Sequence, residues 1–205
     1  MRNAQHKRAR NTQKSSQRDV RFSKQAKLDS IAKQIASCAD CQLCKTRTYT
    51  VPGEGPAEAK LFFIGEAPGR EEDKTGRPFI GQSGRLLTTM LNNSGIDRDN
   101  VFITSILKCR PPSNRKPQKN EVEACTPHLL EQLEAIKPQV IVLLGLTAIK
   151  NTIGDHKKMK EMHGKTLKQA GNTYFITYHP AAARRFPWIK KVMEKDFKIL
   201  NDLQE

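Results

Sequence analysis

Val140-Ile141-Val142-Leu143-Leu144 is the stretch that most limits what this chain can become. Five consecutive apolar residues leave no polar side for water, so as a strand the segment must be covered on both faces, as central parallel strands are. Gly145 ends it. Three other runs share that character: Leu61-Phe62-Phe63-Ile64, Val101-Phe102-Ile103-Thr104 and Thr173-Tyr174-Phe175-Ile176-Thr177-Tyr178. The segments between them have helical spacing. Leu28, Ile31 and Ile35 form one stripe, and Leu86, Leu87, Met90 and Leu91 form another, with Ser83 read as its N-cap and Gly95 as its stop. A helix is expected over about 120–136 and a shorter one near 147–153. A last helix begins at Pro187 with Ile189, Val192, Met193, Phe197, Leu200 and Leu203 inward. The lysine-rich segment 154–172 reads as a polar connection. Strands alternating with helices imply βαβ units, hence an α/β fold: a three-layer α/β/α sandwich around a four-stranded parallel sheet.

The strand ends carry the polar residues. Glu66, the segment Ser105 to Cys109, Gly145 and His179 each follow an apolar run, and in a parallel sheet those ends share one edge. Four separate segments therefore converge on one crevice. The loop after Ile64 runs Gly65-Glu66-Ala67-Pro68-Gly69, continues through the acidic Glu71-Glu72-Asp73, and reaches Phe79 between Pro78 and Gly81, an aromatic placed to stack on a planar ligand.

Charge narrows the partner. The 205 residues hold 36 Lys and Arg against 21 Asp and Glu, a formal net charge of +15. Such an excess favours polyanions, nucleic acid first, because each neutralised phosphate releases counterions. Nine basic residues (Arg2, Lys7, Arg8, Arg10, Lys14, Arg18, Arg21, Lys24 and Lys27) lie before Ser30, against Asp19 and Asp29, in a stretch nearly free of apolar residues up to Val20. The expectation is a disordered basic arm over 1–24 and one folded domain over 25–205. A second basic stretch, Arg110-Pro111-Pro112-Ser113-Asn114-Arg115-Lys116-Pro117, is too rich in proline for regular structure. No run approaches a membrane span and no apolar signal-peptide core follows Met1, so the expected location is the cytoplasm, at the nucleoid.

Cysteines stand at 38, 41, 44, 109 and 125. An odd count beginning with Cys-x-x-Cys argues against a disulfide framework. Cys38, Cys41, Cys109 and Cys125 supply four thiolates able to close around one metal centre, and spacing alone admits either a structural zinc or a four-iron, four-sulfur cluster. Cys44 is the spare, able to substitute as a ligand. His6, His128, His156 and His163 show no ligand spacing and read as surface residues.

Taken together, the order Cys38-Ala-Asp-Cys41-Gln-Leu43, Arg47-Thr48, Gly53-Glu54-Gly55, Gly65-Glu66-Ala67-Pro68-Gly69, Gly76-Arg77-Pro78-Phe79, Lys108-Cys109-Arg110-Pro111-Pro112, Cys125 and His179-Pro180-Ala181 closely resembles the family 4 uracil-DNA glycosylases, the iron–sulfur members of their superfamily in bacteria and archaea. The resemblance runs from about Ser37 to Leu203. It implies a 4Fe-4S cluster on Cys38, Cys41, Cys109 and Cys125, and a monomeric enzyme of base-excision repair that flips deoxyuridine out of single- or double-stranded DNA. It further implies that Phe79 stacks on the base, that Ala67 and Ser105 help read its edge, and that His179 donates to uracil O2. On the same resemblance Glu66, with Glu72 behind it, is expected to orient the attacking water. Arg110, Arg115, Lys116, Arg184 and Arg185 contact DNA, while the basic arm adds affinity or recruits repair partners.

Two positions depart from the family pattern. Ser105 stands where the family usually has an asparagine, and a hydroxyl cannot offer the paired donor and acceptor of an amide. Arg184 stands where a leucine usually serves as the wedge behind the flipped base. The alternative reading is therefore a superfamily member of weak or altered specificity that mainly binds DNA or removes another base, such as hypoxanthine.

Overall fold

Covering a strand on both faces requires neighbours on both sides, and the Val140 run has them. The structure, a computed structural model, describes residues 2–154 and 158–203, with side chains from Val20 onward. In chain order its elements are α1 (Arg2–Ser37), β1 (Leu61–Gly65), α2 (Arg70–Thr75), α3 (Gln82–Asn93), β2 (Phe102–Ser105), α4 (Lys119–Ile136), β3 (Val140–Leu144), α5 (Leu146–Ile153), α6 (Met159–Met162), β4 (Lys165–Gln169), β5 (Asn172–Thr177), α7 (Pro180–Arg185) and α8 (Pro187–Asp202). The sheet order is β2-β1-β3-β5-β4, so β3 lies at the centre and all five of its residues are buried.

The four expected strands are all present and mutually parallel. Phe62 pairs with Phe102 and Ile141, and Val142 pairs with Phe175. The sheet nevertheless has five strands rather than four. The fifth, β4, falls inside the segment read as a polar connection and runs antiparallel to β5, with Lys165 opposite Ile176 and Gln169 opposite Asn172. It is an edge strand exposed along most of its length, so it carries no apolar signal, and its lysines suit an edge that must not pair further.

The helices cover the sheet. Leu28, Ile31 and Ile35 of α1 are buried, as are Leu87, Met90 and Leu91 of α3 and Ile189, Met193, Phe197 and Leu200 of α8. Helix α3 starts at Gln82 with Gly81 as its N-cap, two residues before the Ser83 cap expected. Helix α1 crosses the expected boundary between residues 24 and 25. The helix begins at Arg2, and side chains before Val20, within the basic arm, lie outside the described residues. Among the described residues no helix is long and apolar enough to cross a membrane.

From β1 the chain moves outward to β2 on one side, then returns to β3 on the other. That reversal opens a crevice beyond the carboxyl ends of β1 and β3, where open α/β sheets take their ligands.

Candidate active site and cysteine centre

The crevice is a cleft of about 460 Å³. Its lining brings together Glu66, Ala67, Glu72, Phe79, Ser105, Arg115, His179 and Arg184 from segments far apart in sequence. Each side chain is held by a local rule. Gly65 pairs with Ser105 at the last rung of the β1–β2 ladder, and the pairing continues past the strands as Ile106 and Leu107 N–H groups donate to the Gly65 and Glu66 carbonyls. This fixes Glu66 at the mouth. Its carboxylate accepts a hydrogen bond from the Thr147 hydroxyl, in the first turn of α5. The sequence offered a signal for Thr147 that was missed: a hydroxyl two residues past the glycine ending β3.

Phe79 is 8% exposed and takes a positive φ of 50°. A β-carbon on Gly65 would stand 2.5 Å from its ring, and one on Gly84 would stand 1.8 Å from its carbonyl oxygen, so both glycines are spaces the phenylalanine fills. Glu72 closes this loop. Its Oε1 accepts from the N–H groups of Ile80 (3.0 Å) and Gly81 (2.8 Å), and its Oε2 accepts from Gly69 N–H (3.1 Å). The acidic stretch read as loop is the short helix α2, and Glu72 ties its start to the start of α3. With three backbone donors on its oxygens, this carboxylate is built to position Phe79.

His179 follows β5 and caps α7. Its Nδ1 accepts from Ala181 N–H at 3.1 Å, which leaves the proton of a neutral ring on Nε2. Burial pushes its pKa down to about 4, against the opposing pull of the Glu72 charge. The ring therefore stays neutral at ordinary pH and offers an N–H donor. It lies 5.7 Å from the Phe79 ring, and Gly145 lets it approach β3, since a β-carbon there would be 3.0 Å from the His179 Cβ.

The expected DNA contacts divide. Arg115 is committed to the protein: it forms a two-pronged pair with buried Glu121 (2.9 and 2.5 Å), which also accepts from Gln118 N–H at the start of α4. Arg110 donates to Asn114 at 2.7 Å. Lys116 is exposed, Arg185 lies over the Phe186 ring, and Arg184 reaches across the mouth of the cleft to Gln82. Gln82, Ser83 and Asn114 also line the cleft, unannounced by any sequence signal.

On the far side of Ser105–Cys109 lies a second cavity lined by Cys38, Cys41, Cys44, Cys109 and Cys125. All five cysteines meet there. Cys38 follows α1, Cys41 and Cys44 flank and occupy the turn Gln42–Lys45, Cys109 follows β2, and Cys125 lies on α4. N–H donors aim at the sulfurs: Lys108 backbone at Cys125 Sγ (3.2 Å) and Arg47 Nη1 at Cys109 Sγ (3.3 Å). Burial pushes the Cys125 thiol up to about 11 and raises Cys109 and Cys38 as well. Without a metal, burial holds Cys125, Cys109 and Cys38 in the thiol form, whereas donors already in place suit thiolates bound to a cationic centre. The residues fit a four-cysteine metal group. His128, read as a surface residue, also lines this cavity, and His163 pairs with Asp196 at 3.2 Å; His6 and His156 lie outside the described side chains.

Lys108 joins the two cavities. Although 1% exposed, it donates to Thr104 Oγ1 (2.6 Å), the Ser105 carbonyl (3.0 Å) and Gln132 Oε1 (2.8 Å). Burial lowers its pKa to about 8.

The model of the uracil DNA glycosylase superfamily matches residues 52–204. A type-4 uracil-DNA glycosylase of Sulfurisphaera tokodaii is 44% identical over 188 residues, spanning 86% of this chain and 84% of its own. One from Archaeoglobus fulgidus is 45% identical over 189 residues, spanning 86% and 92%. A bacterial one, from Thermotoga maritima, is 42% identical over 163 residues, spanning 78% and 84%. Matched over residues 52–204, which carry the sheet and its cleft, the chain belongs to the uracil DNA glycosylase superfamily.

Proposed function

We propose that this protein is a uracil-DNA glycosylase of base-excision repair, hydrolysing the N-glycosidic bond of deoxyuridine in DNA to give uracil and an abasic site. The observation that carries this reading is His179: a ring held neutral by burial, its Nδ1 occupied by Ala181, its Nε2–H left for a ligand in the cleft beside Phe79. A base extruded from the stack enters the cleft against Phe79. As the C1′–N1 bond breaks, its electron pair passes into the uracil ring and collects on O2, where the Nε2–H donates. Such a preorganised donor is worth about 10²–10³ in rate. The sugar becomes oxocarbenium-like. Glu66, steadied by Thr147, faces that charge and orients the water, whose oxygen bonds to C1′ as its proton passes, directly or through solvent, to the departing uracil anion. Ala67 and Ser105 form the part of the wall that meets the base edge. Residues 25–205 carry the chemistry, and Arg110, Lys116, Arg184, Arg185 and the basic arm 1–24 hold the phosphate backbone, Arg115 fixing their loop.

The cysteine centre takes a 4Fe-4S cluster on Cys38, Cys41, Cys109 and Cys125. When bound, it supplies iron–thiolate bonds that cross-link α1, the loop after β2 and α4. Cys44 lies in the same cavity as a fifth sulfur.

A second reading has a specific observation behind it. Ser105 presents a single hydroxyl where base discrimination needs a paired donor and acceptor, a loss of about 1–3 kcal/mol if one buried hydrogen bond goes unmade. Single-turnover cleavage of oligonucleotides carrying uracil, hypoxanthine or neither separates the readings. Uracil release that falls about 10²–10³-fold in His179→Ala and rises in Ser105→Asn supports the first. Release of hypoxanthine alone supports the second, and no release from cluster-loaded protein refutes glycosylase activity and leaves the DNA-binding form of the second.

A further inference from the structure

His128 lies on α4 three residues after Cys125, a spacing that puts both on one face of the helix. That face lines the cysteine cavity. Both ring nitrogens of His128 are buried, and neither has a hydrogen-bond partner. One of its nitrogens, Cys38 Sγ and an Asp40 carboxylate oxygen lie within 4.8 Å of one another. A neutral imidazole carries one N–H donor, and buried donors are almost always paired. An orphaned donor beside a thiolate-lined cavity marks a partner that belongs in that cavity.

We propose that His128 donates a hydrogen bond to the iron–sulfur cluster, at the Cys38 sulfur or an adjoining sulfide, and so raises its reduction potential. The inference rests on the cluster assigned above. Its physical basis is charge: a donor to sulfur stabilises the more electron-rich state, and hydrogen bonds to the sulfurs are among the main determinants of cluster potential. The other donors in place are Lys108 N–H on Cys125, Arg47 on Cys109 and the Asp40 backbone on Cys38, and His128 adds a side-chain donor on the Cys38 side. His128 is a positioning and tuning residue, neither a ligand nor part of the base-excision cleft.

The test uses full-length holoprotein. Iron and sulfide analysis with the absorbance near 400 nm comes first; protein holding neither ends the cluster reading and this inference together. With the cluster present, film voltammetry compares wild type, His128→Phe and His128→Gln. The phenylalanine keeps the ring and removes the donor, so a shift to lower potential and faster bleaching by ferricyanide are expected, with glutamine recovering part of the shift. In wild-type protein labelled with ¹⁵N-histidine, pulsed EPR of the paramagnetic cluster should show a weak nitrogen coupling, a readout that does not depend on a variant folding. An unchanged potential in fully loaded His128→Phe overturns the proposal, as does absence of the coupling. Loss of one iron in that variant overturns it too, by making His128 a ligand.

Discussion

Glu72 offers the sharpest test of how the cleft is held. In Glu72→Gln, the remaining oxygen can keep the Ile80 and Gly81 N–H groups that Oε1 now serves at 3.0 and 2.8 Å. The new amide nitrogen then faces Gly69 N–H, which Oε2 accepts at 3.1 Å, and two donors oppose each other. One charge-assisted hydrogen bond is lost and one backbone donor is left unpaired, at a cost of about 2–3 kcal/mol. For a chain of this size that lowers Tm by roughly 5–10 °C. The loop it releases carries Phe79 at its strained φ, so single-turnover uracil release should fall about ten- to a hundredfold through misplacement of the base. The shape of the pH–rate profile should not change, because Glu72 exchanges no proton in the reaction. Thermal unfolding and rates measured between pH 5 and 9 check both parts. A variant that unfolds at the wild-type temperature yet has lost a thousandfold or more in rate refutes the reasoning, and returns Glu72 to the chemistry.

Three further outcomes are expected. Because the folded His179 resists protonation to about pH 4 while the unfolded residue titrates near 6.5, the unfolded state binds more protons between those values. Stability is complete above about pH 6.5 and drains by up to roughly 3 kcal/mol as pH falls to 4. Urea unfolding across that range should show a shallower slope in His179→Ala, and an identical slope counts against the assignment. Gly145→Ala places a β-carbon 3.0 Å from His179 Cβ at a φ of 86°, so it should cost about 1–3 kcal/mol and slow base release about tenfold or more by moving the imidazole; wild-type kinetics and Tm would show that the strand end yields. Lys116→Ala removes an exposed cation, and should weaken binding equally for DNA with and without uracil, reducing the slope of log K against log salt by about one; a change confined to uracil-containing DNA contradicts it.

The parallel sheet and its crevice were legible because burial on both faces leaves only apolar residues, and because strand ends in such a sheet share an edge. Glu66, Ser105 and His179 were found by that argument alone. Strand β4 was not, since Lys165 to Gln169 are exposed on both faces and held mainly by the β5 ladder. Helix α2 escaped for a related reason: of its six residues only Asp73 is buried, and that side chain serves to accept from the Thr48 backbone and hydroxyl at 3.0 Å each. Roles within the cleft were less legible than membership of it. Glu72 reads in sequence as a carboxylate backing Glu66 in orienting the water and Arg115 as a phosphate contact; the geometry gives each a partner within the protein. Such pairings join residues by backbone N–H groups or across turns, and periodicity does not reveal them.

The stretch Ser105 to Cys109 has a consequence for inheritance. Five consecutive residues supply part of the cleft wall at one end and a cysteine of the second cavity at the other, with Lys108 bonded to Ser105 and Cys125 between them. A substitution that moves one of the two parts is therefore felt at the other. A chain without Cys125 would lose the sulfur that the Lys108 N–H meets, and a cleft reshaped at Ser105 would be reshaped on the same short span that carries that bond.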